Sequence, residues 1–285
     1  MRSSNWREVA SDVFVRAYEH LDINISVVRD GGDLLLVDSR SSPMEAAELK
    51  ADLQVFTPAR VRMLVNTHAH FDHTFGNQQF SPESDQDVSI YGHQLLPANL
   101  DQYERPRLAA WRAGTGDEPD RDWEDLCITA PTHLVATRQL LHVGDRAVHL
   151  IPLGPGHTDT DLVVNVPDAH AWLVGDVVEA SGPPMYGSGC FPLGLPLQLA
   201  FLLNEVTDAD VVVPGHGPVV DRTFIEAQHA EVERLAQQIR SAKRRGQTVE
   251  QALADQDNWP FPVQGLQLAV QRGYTALDAD ASPGT

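Results

Sequence analysis

Few folds have a use for "NTHAHFDHTFGN", residues 66–77, where three histidines and an aspartate fall within six residues, His68 to His73. The apolar run just before it, residues 61–66, reads as a short strand, so the cluster sits where a strand ends. Two apart on that strand end, His68 and His70 point to the same side. Asp72 and His73 follow as the chain turns away. Imidazole nitrogen and carboxylate oxygen are suitable ligands for zinc and similar divalent ions. A lone histidine is more often a hydrogen-bonded structural residue. That reading applies to His20, His133, His142, His149, His170 and His229, and His93 in "YGHQ" is expected to be structural or supporting.

Further candidate ligands lie downstream, each at a strand end or in a glycine loop. They are His157 in "LGPGHTDTD", Asp176 in "AWLVGDVVE" and His216 in "VVVPGHGPV". Glycine beside a histidine lets the backbone pass close to a site, and loops at strand ends are where rigid scaffolds place reactive groups. Asp159 and Asp161 are expected to serve as turn or ligand-supporting residues.

The elements around these motifs alternate. Residues 24–28 and 34–38 read as a hairpin about Asp30-Gly31-Gly32-Asp33, and Pro43 opens a helix to Gln54 capped by Ser41 or Ser42. Short strands are expected at 89–91, 139–143, 147–152, 162–166, 171–174 and 211–213. Helices are expected at 95–113, kinked or split by Pro97 and Pro106, and from the loop at 180–194 to Val206. An amphipathic helix capped by Asp221 or Thr223 runs to about Arg245, and two more lie at 249–254 and 266–274. Residues 278–285 are expected to fray. Two strand-rich blocks flanked by helices give an α/β class with a pair of packed sheets and helices outside.

HxHxDH, then GHT, then GD after an apolar strand, then PGHG is a series that resembles the metallo-β-lactamase superfamily over residues 66–217. The resemblance implies a four-layer αβ/βα sandwich over residues 1–285 as one domain, its C-terminal helices starting near 221, with metals at one edge of the two sheets. It implies that His68, His70 and His157 hold one ion, that Asp72, His73 and His216 hold a second, and that Asp176 bridges them. A bridging aspartate is similar to the glyoxalase II, lactonase and ribonuclease Z branches. The lactam-cleaving branch usually lacks it, which argues against antibiotic hydrolysis. The implied activity is that of a dinuclear Zn2+ hydrolase, lactonase- or thioesterase-like, in which a metal-bound hydroxide oriented by Asp72 attacks an ester, thioester or lactone. The alternative is a mononuclear iron sulfur dioxygenase, with Fe2+ or Mn2+ as other metals the ligands accept.

Charge narrows the partners. Forty acidic against 21 basic residues leave a net charge of −19, and nucleic-acid binders need a basic footprint that this chain lacks overall, which disfavours a nuclease. No apolar run reaches membrane-spanning length. The expectation is a cytoplasmic enzyme with a small-molecule substrate. Cys127 and Cys190 belong to no CxxC pair, which argues against a disulfide framework, and Cys190 is expected to be a small buried hydrophobe. The acidic segment 114–126 reads as a surface loop or lid, with Trp111 and Trp123 either covering the site or anchoring the loop. In the loop 180–194, Met185, Phe191 and Leu193 are expected to line the pocket. Tyr186 there has two readings: a proton donor or oxyanion ligand, and an aromatic of the pocket wall. A glutathione-binding set of the glyoxalase II kind is not evident.

Overall fold

A computed structural model describes residues 5–81, 88–116 and 123–281. With strands and helices numbered along the chain, its centre is the hairpin of β3 (Ile23–Asp30) and β4 (Asp33–Val37), closed by Gly31 at φ +55°. The apolar residues of β4 are all buried, yet they alternate between two layers. Leu34 and Leu36 pack with Leu49 and Leu53 of α1 (Pro43–Phe56), a helix capped by Ser42. Leu35 and Val37 face the other way, into a core shared with Val148, Leu150, Leu162 and Val164. Burying each such side chain contributes roughly 1.5–3 kcal/mol. A strand apolar on both faces must lie between two layers, and this one does.

Most strands follow one hydrogen-bonded path, with two more branching from β3, and together they fold into two facing sheets. The first runs β1 (Arg7–Ala10), β2 (Val13–Tyr18), β3, β4, β5 (Arg60–Val65), β6 (Ser89–His93), β7 (His133–Val135). The second runs β12 (Val211–His216), β11 (Ala171–Glu179), β10 (Leu162–Val166), β9 (Arg146–Pro152), β8 (Gln139–Val143). They join through the pair His216↔Ile23. After β5 come the short α2 (Phe71–Thr74), then α3 (Leu96–Asn99), a π turn (Leu100–Glu104) and α4 (Arg105–Arg112). The second sheet is covered by α5 (Leu195–Glu205), α6 (Arg222–Arg244), α7 (Val249–Leu253) and α8 (Gln267–Ala281). From these, Leu199, Val232, Leu235, Ile239 and Val270 share a core with Trp172 and Val174 of β11. Helix, sheet, sheet, helix is the four-layer αβ/βα sandwich. The join places the ends of β5, β11 and β12 together, and with them the candidate ligands.

Several elements differ from the sequence-based expectation. β1, β2 and β7 carry no clear local signal. In β2, "VFVRAY", Val13, Phe14 and Val15 are all buried because the strand lies between two layers, so no alternation shows. The helix expected at 95–113 is broken into α3, the π turn and α4. Arg105 N–H reaches back five residues to Leu100 O, just before Pro106, which has no N–H to donate. β11 runs five residues past 174. α8 continues to Ala281, past the expected onset of fraying at 278, and Lys243 Nζ holds Asp278 Oδ2 at 2.7 Å. Residues 117–122 of the acidic segment lie outside the described residues. Trp111 and Trp123, on either side of them, stack at 4.6 Å and are buried in one cluster with Phe75. Among the described residues, no helix is long and apolar enough to cross a membrane.

Candidate metal centre

Asn66 and Asn77, the two ends of the histidine-rich stretch, are hydrogen-bonded to one another. Asn66 Nδ2 donates to Asn77 Oδ1 at 3.0 Å, and Asn77 Nδ2 to Asn66 Oδ1 at 2.8 Å. Asn66 Nδ2 also reaches His73 O at 3.0 Å. The stretch is thus a closed loop, and α2 at its centre aims Asp72 and His73 back towards the strand ends.

All seven sequence-derived candidates converge. His68, His70, His157 and Asp176 form one group whose ligand atoms lie within 4.8 Å of one another, and Asp72, His73 and His216 form another. His70 Nδ1 is 3.0 Å from both His68 Nε2 and His157 Nε2. His73 Nε2 lies 3.3 Å from His216 Nε2. Asp176 stands between the groups: Oδ2 is 3.5 Å from His157 Nε2 and 3.4 Å from His216 Nε2, and Oδ1 is 3.2 Å from His73 Nε2. Asp72 Oδ2 is 3.3 Å from His216 Nε2. All seven side chains are buried.

The ring nitrogens pointing away from these centres have partners, which sets the tautomers. His73 Nδ1 faces Asp38 Oδ2 at 2.7 Å, His216 Nδ1 faces Leu21 O at 2.7 Å, and His70 Nε2 faces Ser188 O at 3.0 Å. His68 Nδ1 lies 3.1 Å from Thr67 Oγ1, whose own proton goes to Asp38 Oδ2. In the first group, a proton on the outer nitrogens of His68 and His70 leaves their inward ones, 3.0 Å apart, as bare lone pairs. Lone pairs facing one another at about 3 Å repel unless a cation lies between them. Asp176 Oδ1, buried with no hydrogen-bond partner among the described residues, is a further oxygen free to ligate. The residues present therefore fit divalent metal ions.

The second group differs. Burial opposes the charged form of His73 and His216, but Asp176 and Asp72 outweigh it and hold His73 well above the usual histidine range and His216 at about 11. Burial, eased by Asp176, drives His157 down to about 3, and burial also lowers His68. Burial works against the ionised forms of Asp72 and Asp176, yet the facing His73 and His216 hold both well below the usual carboxylate range. The second group thus carries positive charge that a divalent cation can replace, and in the first His68 and His157 are neutral imidazoles ready to ligate.

A sequence model of the Metallo-beta-lactamase superfamily matches residues 19–216. The chain belongs to that superfamily. A solved metallo-beta-lactamase from Pontibacter korlensis is 18% identical, covering 80% of this chain and 98% of its own, with a TM-score of 0.64. The stereoselective inverting sec-alkylsulfatase Pisa1 from Pseudomonas sp. is 14% identical with a TM-score of 0.78; the match covers 99% of this chain and 52% of that one. At such identities these neighbours speak to the fold alone. Superfamily members are mostly metal-dependent hydrolases, and the buried His/Asp groups suit divalent metal ions.

Around the centre, Asp161 accepts from Thr158 N–H at 2.8 Å, Thr158 Oγ1 at 2.6 Å and Gln198 Nε2 at 2.7 Å, while Gln198 Oε1 accepts from His157 N–H at 3.1 Å. Asp161 thereby props the His157 loop. Asp159 ties that loop to α3 by accepting from Asn99 Nδ2 at 2.8 Å. His93 is buried, with Nδ1 accepting from Leu95 N–H at 3.2 Å, a structural role. Asp38 belongs to no motif and escapes sequence reasoning. It follows β4 at φ +65°, and its carboxylate takes Thr67 N–H, Thr67 Oγ1 and His73 together. Its one local signal is an aspartate closing an apolar strand.

The loop 180–194 is placed differently from expectation. Its turn at Ser188 and Gly189 reaches the centre, through Ser188 O on His70. Tyr186 is buried with Cys190 in the apolar core under α5. Its hydroxyl has no hydrogen-bond partner among the described residues, and burial raises its pKa above the usual phenol value. That placement sets the hydroxyl in the core, and among the described residues no hydrogen bond links it to the ligand groups. Cys190 is buried and its thiol is pushed up to about 11, so it is the inert small hydrophobe expected. Met185 is 67% exposed, Leu193 packs on the core instead of lining a pocket, and Phe191 lies under the Arg272 guanidinium at 5.1 Å.

Proposed function

We propose that this protein is a dinuclear zinc hydrolase of a small-molecule acyl bond, an ester, thioester or lactone. The observation that carries this is Asp176, a buried carboxylate placed between two ligand groups. Bound divalent ions supply an activated water and polarise the carbonyl under attack. The chain's own residues do the rest. His68, His70 and His157 anchor one side, and His73 and His216 the other. Asp72 Oδ2, at 3.5 Å from His73 Nε2 and 3.3 Å from His216 Nε2, is placed to ligate and to orient the attacking water. Asp38 and the Leu21 carbonyl hold His73 and His216 so that their inward nitrogens cannot rotate away. Thiol or serine nucleophiles are not required.

Both groups lack soft thiolate ligands, and a mixed imidazole and carboxylate set suits zinc, with iron or manganese as competitors. The strongly acidic balance of the chain favours a small substrate over nucleic acid. Metal analysis of the purified protein, with a panel of esters, thioesters, lactones, lactams and sulfate esters, tests the proposal. Two zinc ions per chain and acyl hydrolysis lost in Asp72→Ala are expected. A single iron with oxygen uptake on a persulfide would replace the proposal with the dioxygenase alternative, and a fully metal-loaded parent inert on every acyl compound would refute it.

A further inference from the structure

The outward face of His70 is held by a chain of contacts that no ligand motif contains. Its Nε2 meets the Ser188 carbonyl at 3.0 Å. Ser188 lies in the loop between β11 and α5, between Gly187 and Gly189, a stretch without helix or strand of its own. Arg107 Nη2 donates to Ser188 Oγ at 2.7 Å. Arg107 Nε donates to Glu104 Oε2 at 2.8 Å. Glu104 closes the π turn and is fully buried, and its other oxygen, Oε1, has no hydrogen-bond partner among the described residues. The Arg107 guanidinium also lies over the ring of Phe71, the residue after His70, 5.5 Å from its centre.

We infer that the Glu104–Arg107 pair is a positioning device for the first metal group, fixing Ser188 so that its carbonyl keeps His70 Nδ1 turned towards His68 and His157. This rests on the metal centre proposed above. A buried carboxylate is costly unless it is paired, so packing alone gives no reason for Glu104. Its use is to lock Arg107. The guanidinium is a rigid fork that serves Glu104 and Ser188 at once, which a lysine ammonium on a flexible stem does less well. The π turn matters because its extra residue sets the phase at which Glu104 and Arg107 leave the helix. A loop carrying the hydrogen-bond acceptor of a metal ligand is thereby ordered from a helix that bears no ligand itself.

The test uses the full chain loaded with cobalt(II). Proton spectra of the loaded parent should show paramagnetically shifted N–H lines, among them those of His70 Nε2, His73 Nδ1 and His216 Nδ1. In Arg107→Ala and Glu104→Gln the His70 line should move or vanish through exchange with water, while the His73 and His216 lines stay. Competition with a chromogenic chelator should show one of the two metal affinities weakened about 10- to 100-fold. Arg107→Lys, which keeps the charge at a partly exposed site, covers the case in which Glu104→Gln fails to fold, and should also shift the His70 line. The inference is overturned if all three lines keep their parent positions, or if all three move together, as general distortion would cause. Absence of every shifted line from the parent would instead sink the metal centre, and this inference with it.

Discussion

Replacing Gly215 with alanine puts a methyl group against the carboxylate that lies between the two ligand groups. A Cβ built on Gly215 would lie 1.8 Å from Asp176 Oδ1, and 3.1 Å from Asp176 Cγ and from Asp176 N. Real Cβ atoms essentially never come within 3.0 Å of a neighbour, so Oδ1 must retreat by at least the distance from 1.8 to 3.0 Å. The two 3.1 Å contacts ask for much smaller shifts, so the backbone can stay and the carboxylate is what moves. Ligand distances in metal sites hold to about 0.2 Å, and a displacement several times larger removes Asp176 from one or both ions. Overpacking of this kind costs the fold about 1–3 kcal/mol, less than the stability of an ordinary domain, so the variant should fold. Metal stoichiometry by elemental analysis after equilibrium dialysis, with a thermal melt as the folding control, is the assay. The parent should retain two ions and the variant fewer, with hydrolysis lost. A folded Gly215→Ala protein holding two ions at parental affinity would refute the bridging geometry.

Asp38→Asn removes the charged acceptor of His73 Nδ1 and should weaken metal binding about 10- to 100-fold by chelator competition; unchanged affinity would show that Asp38 serves only the strand end. Asp161 is raised to about 7, chiefly by burial, so its contribution to stability is fully present below pH about 4 and is lost as pH rises through 7. Against Asp161→Asn, the parent should lose about 2–3 kcal/mol more between pH 5 and pH 8 in urea unfolding, and parallel pH curves would refute that shift. Chelation of the metals should lower the melting temperature reversibly, since loading to a hundred times the dissociation constant stabilises by about 2.7 kcal/mol; a melt indifferent to chelator and to added zinc would count against a built metal site.

The centre is legible in the sequence because its ligands are punctuated by strand ends and glycines. Those signals lie within a dozen residues of each imidazole and do not depend on packing. Asp38 and Leu21 are not legible, since an aspartate after a strand and a backbone carbonyl look like many others until the fold brings His73 and His216 beside them. Tyr186 shows the opposite failure. Its neighbour Gly187 faces His70, whose ring lies 3.7 Å from a Cβ built there, while the phenol itself turns into the core.

Periodicity and residue chemistry are local properties. They settle the kind of atoms offered, imidazole nitrogen and carboxylate oxygen, the strands that carry most of them, and the layered α/β class. They do not settle that His68 and His216 share one centre through Asp176, that Asp38 after the adjacent strand orients His73, or that Arg107, far along the chain, holds the loop behind His70. Those relations join residues separated by tens of positions or more. They exist because the fold sets β4 beside β5 and closes two sheets at the pair His216↔Ile23, and no local pattern specifies where such edges will meet.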